Sequence, residues 1–197
     1  NKEDPAIHLA LSKVLYNLSC SEENIAFFAN VTDKDSKFPM EGSIQLSRLC
    51  RITASLLENP HVTVKDEIFK HMAAFLYNLT IRTEFTNAFL AQGVVLILKE
   101  LWSKIKNDEV GCKLVCISCC NLACGNVNTS KLLEDGLVQE VLSFIADSSK
   151  KKIRFSEDEL ACWSAAVRNI MHVVHNQTVL IESGVISGLV VVANECW

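Results

Sequence analysis

Glycine and proline are scarce in this chain, numbering 7 and 3 among 197 residues. These residues punctuate a backbone, so their scarcity excludes a fold of many tight turns and favours long helices with short connections. A basic excess is missing as well. The formal net charge is −4 and the pI is near 5.8, which provides no footprint for a phosphate backbone and makes nucleic acid a poor partner. No apolar run reaches the roughly 18 to 20 residues that span a bilayer, because Lys113 divides the cysteine-rich stretch and Gly184 and Gly188 interrupt the last one. No methionine opens the chain and residues 185–197 read as an unfinished helix, so 1–197 is expected to be a single domain cut from a longer protein.

Cysteine, by contrast, is plentiful. The count of nine is odd and Cys119 and Cys120 are adjacent, a poor basis for a disulfide framework and a sign of a reducing, intracellular setting, cytoplasmic or nuclear. Five Asn-x-Ser/Thr triplets, at Asn17, Asn30, Asn78, Asn128 and Asn176, read as chance matches, since two lie in apolar helical segments with no room for a glycan.

Four segments align on an asparagine: Leu15-Tyr16-Asn17-Leu18, Leu76-Tyr77-Asn78-Leu79, Cys119-Cys120-Asn121-Leu122 and Val167-Arg168-Asn169-Ile170. Their intervals are 61, 43 and 48 residues. Fifteen residues after Asn78, Asn121 and Asn169 come Gly93, Gly136 and Gly184, preceded by the apolar pairs Phe89-Leu90, Leu132-Leu133 and Leu180-Ile181. The first unit keeps the pair, Phe27-Phe28, and has Thr32 in place of glycine. The positions six and two before each asparagine and one after it are Leu11, Leu15, Leu18; Met72, Leu76, Leu79; Val115, Cys119, Leu122; and Trp163, Val167, Ile170. On a helix these fall within about 60° of one another and roughly 100° to 160° from the asparagine. The pattern predicts a buried stripe with the asparagine on a different face.

Helices are expected at about 5–19, 22–30, 43–58, 63–80, 83–92, 94–106, 109–124, 127–135, 137–148, 156–173, 176–183 and 185–196, with no strand. Asp4-Pro5 supplies an N-cap and a first-turn proline, Ser156 with Glu159 a capping box, and Thr63 with Asp66 a weaker one.

A long helix ending in Asn-Leu, a short helix, a glycine turn and a second helix together resemble the armadillo repeat. The resemblance implies an all-α, right-handed α-solenoid of about four repeats. The alternatives are a HEAT-type solenoid or an irregular helical bundle. The first interval, 61, exceeds the usual unit of about 40 to 47 residues, and the polar segment 32–42 has the composition of an inserted edge loop. In proteins of this family the asparagine ladder lines a concave groove and grips an extended peptide, which carries over to Asn17, Asn78, Asn121 and Asn169. A carboxamide offers a donor and an acceptor to an unpaired backbone; alternatively, each asparagine caps its own repeat. Importin-like receptors place tryptophan four residues before the asparagine, where this chain has Lys13, Ala74, Ile117 and Ala165, so a basic peptide is not indicated. Lys13, Lys70, Lys113 and Arg82 fall four or eight residues from a ladder asparagine, which points to an acidic ligand.

No catalytic constellation emerges. Cys112, Cys116, Cys120 and Cys124 recur every four residues and are read as packing residues in preference to a zinc site or a regulatory thiol. His172 and His175 lack the spacing and glutamate of zinc proteases. Lys150 to Arg154 is read as a solvated loop. The function expected is thus a scaffold or adaptor for a protein partner, without enzymatic activity, cofactor, metal or small-molecule substrate. The alternative is a regulator docking on a folded partner such as a small GTPase or motor subunit.

Overall fold

The computed structural model describes residues 4–28, 64–91, 93–105, 108–124, 132–133, 136–146, 156–172 and 174–182, with Ser55, Ile186, Val190 and Asn194 as isolated positions. Among these residues the structure is helical, without a strand. The elements are α1 (Pro5–Ser19), α2 (Glu22–Phe28), α3 (Lys65–Thr80), a 3-10 turn (Thr83–Phe85), α4 (Thr86–Ala91), α5 (Val94–Ile105), α6 (Glu109–Cys124), α7 (Leu137–Ala146), α8 (Glu157–Met171) and α9 (Val174–Glu182). The helices expected at 43–58, 127–135 and 185–196 fall largely outside the described residues, as do the 32–42 loop and the 150–154 basic run.

Local chemistry sets the helix starts. The Asp4 carboxylate accepts the Ala6 amide at 2.9 Å and Pro5 occupies the first turn, where its missing donor costs nothing. At α8 the full capping box forms: Ser156 Oγ accepts the Glu159 amide at 3.2 Å and the Glu159 carboxylate accepts the Ser156 amide at 2.6 Å. For α3 the N-cap is Val64, which makes no side-chain cap bond, and Thr63 is outside the described residues. Gly93 and Gly136 adopt φ of +80° and +73°, the left-handed region that a Cβ disfavours. Each glycine amide bonds to the carbonyl three residues back, Leu90 at 3.2 Å and Leu133 at 3.1 Å, closing a short helical segment before the next helix.

The chain divides into two compact units, Asn1–Val115 and Cys116–Trp197, with the boundary inside α6. In the first, α3 packs on α1 and on α5. Its stripe Met72, Leu76, Leu79 is buried as predicted, together with Ile68, Ala73 and Phe75, and α5 contributes Val94, Leu98, Leu101, Trp102 and Ile105. In the second, α8 packs on α9 and buries Trp163, Val167 and Ile170, while α7 buries Leu137, Val138, Val141 and Leu142. The α6 positions Val115, Cys119 and Leu122 are at most 1% exposed, which completes the stripe on a third asparagine helix.

Helix α1 departs from the expectation. Leu15 is buried, but Leu11 is only half-buried and Leu18 is 40% exposed. The buried row is His8, Ser12, Leu15 and Ser19, rotated by about 60° from the predicted stripe. The reason is that α3 presents polar groups toward α1. Ser12 Oγ meets His71 Nδ1 at 3.1 Å and Ser19 Oγ accepts from Asn78 Nδ2 at 3.0 Å, both at a sequence offset of 59. A constant offset means that α1 and α3 run parallel and in register.

The buried stripe generates a stability prediction. Leu79→Ala and Leu122→Ala are each expected to lower unfolding free energy by about 2 to 5 kcal/mol through cavity formation, whereas Leu96→Ala, at a 59% exposed position, should change it by less than about 0.5 kcal/mol. Urea denaturation of the three variants checks the assignment of the buried face.

Candidate functional site

The four ladder asparagines occupy equivalent places on their helices but differ in what they touch. Asn17 is exposed at the end of α1, and Asn169 is half-buried near the end of α8. Asn78 is half-buried, and its Nδ2 donates to Ser19 Oγ at 3.0 Å and toward Cys20 Sγ at 3.7 Å. Ser19 in turn donates to the Tyr16 carbonyl at 2.7 Å, so the Asn78 carboxamide ties the end of α3 to the end of α1. Asn121 Nδ2 is buried and has no hydrogen-bond partner among the described residues. Such an amide carries an unrecovered desolvation cost of about 1 to 3 kcal/mol.

The four cations are less free than their spacing implies. Lys70 lies 4.0 Å from Asp108, Lys113 lies 3.3 Å from Glu109 one turn away, and Arg82 pairs with Glu22 and Glu84. Lys13 is exposed on α1. Lys70 also lines a pocket of about 410 Å³ with Lys65, Lys104, Asp66 and Asp108 above Phe69 and Ile105, where cations outnumber carboxylates by one. Exposed pairs of this kind contribute about 0 to 1 kcal/mol, so an incoming carboxylate can compete for the same ammonium groups.

Sequence reasoning missed His71 and the turn carboxamides. His71 stacks on Tyr16, with ring centroids 6.1 Å apart and planes within 15°. Ser12 gives its hydroxyl proton to the Leu9 carbonyl at 2.9 Å, which leaves its oxygen to accept from His71 Nδ1. Partial burial pushes the His71 pKa below its ordinary value; Glu67 opposes the shift and Lys13 adds to it. Asn24, Gln139 and Gln177 each donate to the carbonyl six residues earlier, Leu18 at 3.0 Å, Leu133 at 3.1 Å and Met171 at 2.8 Å, and so close three interhelical turns. Each lies in the first turn of the following helix, where only the folded turn shows which carbonyl it reaches.

The cysteines mostly pack. Cys112, Cys116, Cys119 and Cys120 are at most 1% exposed, while Cys124 is exposed and Cys162 is half-buried. No group of three or more potential ligands is placed to hold a metal ion among the described residues. His172 is exposed, and the His175 side chain lies outside the described residues. No helix among those described is long and apolar enough to cross a membrane.

The His71 environment predicts a pH effect. Its folded pKa lies below the ordinary 6.5, so between those two values the unfolded chain binds more protons than the folded one. Stability should therefore be full above pH 6.5, fall as pH drops through the folded pKa, and level off below it. Urea midpoints measured from pH 8 to pH 5 should show this slope, and His71→Gln, which retains a partner for Ser12, should flatten it.

No protein-family model matches the chain, and no curated protein or solved structure is significantly similar to it, which leaves the chemistry of its own side chains as the guide to its role.

Proposed function

We propose that this chain is an armadillo-type α-solenoid that works without catalysis, binding an extended peptide segment of a protein partner along the asparagine faces of its repeat helices. The repeat reading is supported by the stripe shared by α3, α6 and α8, by the two glycine turns at equivalent positions, and by the parallel pairing of α1 with α3. The observation that carries the binding role is the Nδ2 of Asn121, buried and without a hydrogen-bond partner among the described residues. An extended strand brings carbonyls with no partner of their own, and a rotation of the half-buried Asn121 side chain would turn that donor out to meet one of them. Asn169 offers a half-buried carboxamide of the same kind within the second unit. Within the first unit, the pocket beside Lys70 suits an acidic side chain. Asn78, by contrast, is assigned mainly to holding α3 against α1, since its donor is already engaged.

Panning a library of linear peptides on the folded protein tests this. Selected peptides should lose affinity by roughly 5- to 150-fold on Asn121→Ala with Asn169→Ala, corresponding to about 1 to 3 kcal/mol of lost hydrogen bonding, while the helical circular dichroism is unchanged. Asn78→Ala should instead cost about 1 kcal/mol of stability. Lys70→Glu should slow association at low salt and lose its effect as salt rises. Recovery of no peptide, or of peptides that bind the double variant undiminished, would refute the assignment.

A further inference from the structure

The pocket of about 410 Å³ in the first unit is walled by two helix starts and one helix end. Lys65, Asp66 and Lys70 come from the beginning of α3, Lys104 from the last turn of α5, and Asp108 from the residue that precedes α6. Both carboxylates serve helix starts. Asp108 caps α6: its Oδ2 accepts the Gly111 amide at 2.9 Å and its carbonyl accepts the Cys112 amide at 2.9 Å. Gly111 allows that close approach, since a Cβ there would lie 2.7 Å from the Asp108 Oδ2. Asp66 sits in the first turn of α3, where the helix dipole favours a negative charge.

The three ammonium groups are held more loosely. Lys65 makes no ion pair with a described residue, and Lys70 stands 4.0 Å from Asp108 with its side chain 54% exposed. Lys104 pairs at 3.2 Å with Glu100, which does not line the pocket. Exposed pairs of this kind contribute little and exchange readily for a better anion. Behind the lysines Phe69 and Ile105 are buried and form an apolar wall, beside which charges are screened less than on an open surface. The lining carries three positive and two negative formal charges. Two helix N-termini and one C-terminus, each worth about half a charge, raise that balance to about +1.5.

We propose that this pocket is a binding site for a phosphoryl dianion. A phosphomonoester brings a charge of about −1.5 to −2 at pH 7 and three terminal acceptor oxygens, which match both the local balance and the number of ammonium groups. A carboxylate brings one charge and two oxygens. The phosphoryl group is carried by a phosphorylated side chain of a partner or by a free phosphate, and the recognition chemistry is the same for both. This site rests on the acidic-group reading given to the pocket above, but it needs neither Asn121 nor Asn169, which belong to the second unit.

Titration calorimetry of the full chain with N-acetyl-O-phosphoserine methylamide, the corresponding aspartate amide and inorganic phosphate tests the site. The phosphoserine amide should bind with a Kd of about 1 mM or tighter, and roughly tenfold more tightly than the aspartate amide. Lys65→Gln with Lys104→Gln should weaken it by roughly tenfold with the helical circular dichroism intact. Lys13→Gln, at an exposed lysine that does not line the pocket, should leave it unchanged. Affinity should fall below about pH 6, where the ester takes up its second proton. Tighter binding of the phosphoserine amide than of inorganic phosphate assigns the site to a phosphorylated side chain, and equal binding assigns it to the free anion; both support the phosphoryl class. Equal binding of the aspartate amide overturns that class while sparing the acidic-group reading, and absence of saturable binding up to about 10 mM overturns both. Phosphoserine-amide binding that the paired lysine changes leave intact overturns the site.

Discussion

Helix α3 buries Ile68, Met72, Phe75, Leu76 and Leu79 to 2% exposure or less, and Phe69, Ala73 and Thr80 are buried as well. These positions span an arc of about 160° around the helix, wider than the roughly 100° stripe that one neighbour covers. Two neighbours are required, and α1 and α5 supply them on either side. The two contacts differ in kind. Toward α5 the match is apolar, with Leu98, Leu101, Trp102 and Ile105 filling the space. Toward α1 it is mixed: Ser12, Ser19, His71 and Asn78 bond to one another around Leu15. Apolar packing tolerates sliding by a turn, whereas paired hydrogen bonds at fixed offset do not, so the polar contact sets the register of α1 on α3.

The same asparagine position therefore performs different work on different helices. At Asn78 the carboxamide is drawn into the α1–α3 contact because Ser19 presents an acceptor. At Asn121 no described residue meets the donor. Helices that share a sequence pattern share backbone geometry but not neighbours, and the neighbours decide whether a polar side chain is structural or available.

A similar division governs the thiols. On α6 the row of cysteines is uniform in sequence, yet Cys112, Cys116 and Cys120 are sealed and Cys124 is exposed. Burial makes the Cys120 thiol harder to ionise, and a hydrogen bond from Cys120 makes Cys162 easier to ionise. Two side chains of identical chemistry are pushed apart by desolvation on one side and a donated hydrogen bond on the other.

Much of the fold was legible because it rests on local and periodic signals. The spacing of Met72, Leu76 and Leu79, and of its counterparts around Asn121 and Asn169, identifies a buried face since 3.6 residues per turn leave no other face for them. Asp4-Pro5 and Ser156 with Glu159 mark helix starts through bonds within four residues, and Gly93 and Gly136 mark turns because only glycine enters that backbone region cheaply. What the sequence could not determine depends on groups far apart along the chain. The rotation of α1, the engagement of Asn78 by Ser19 and the pairing of Lys70 with Asp108 each join residues separated by more than a helix length. Periodicity tells which side of a helix is buried. Only tertiary packing decides which donor, acceptor, charge or sulfur stands opposite, because that depends on how helices distant in sequence are brought into register.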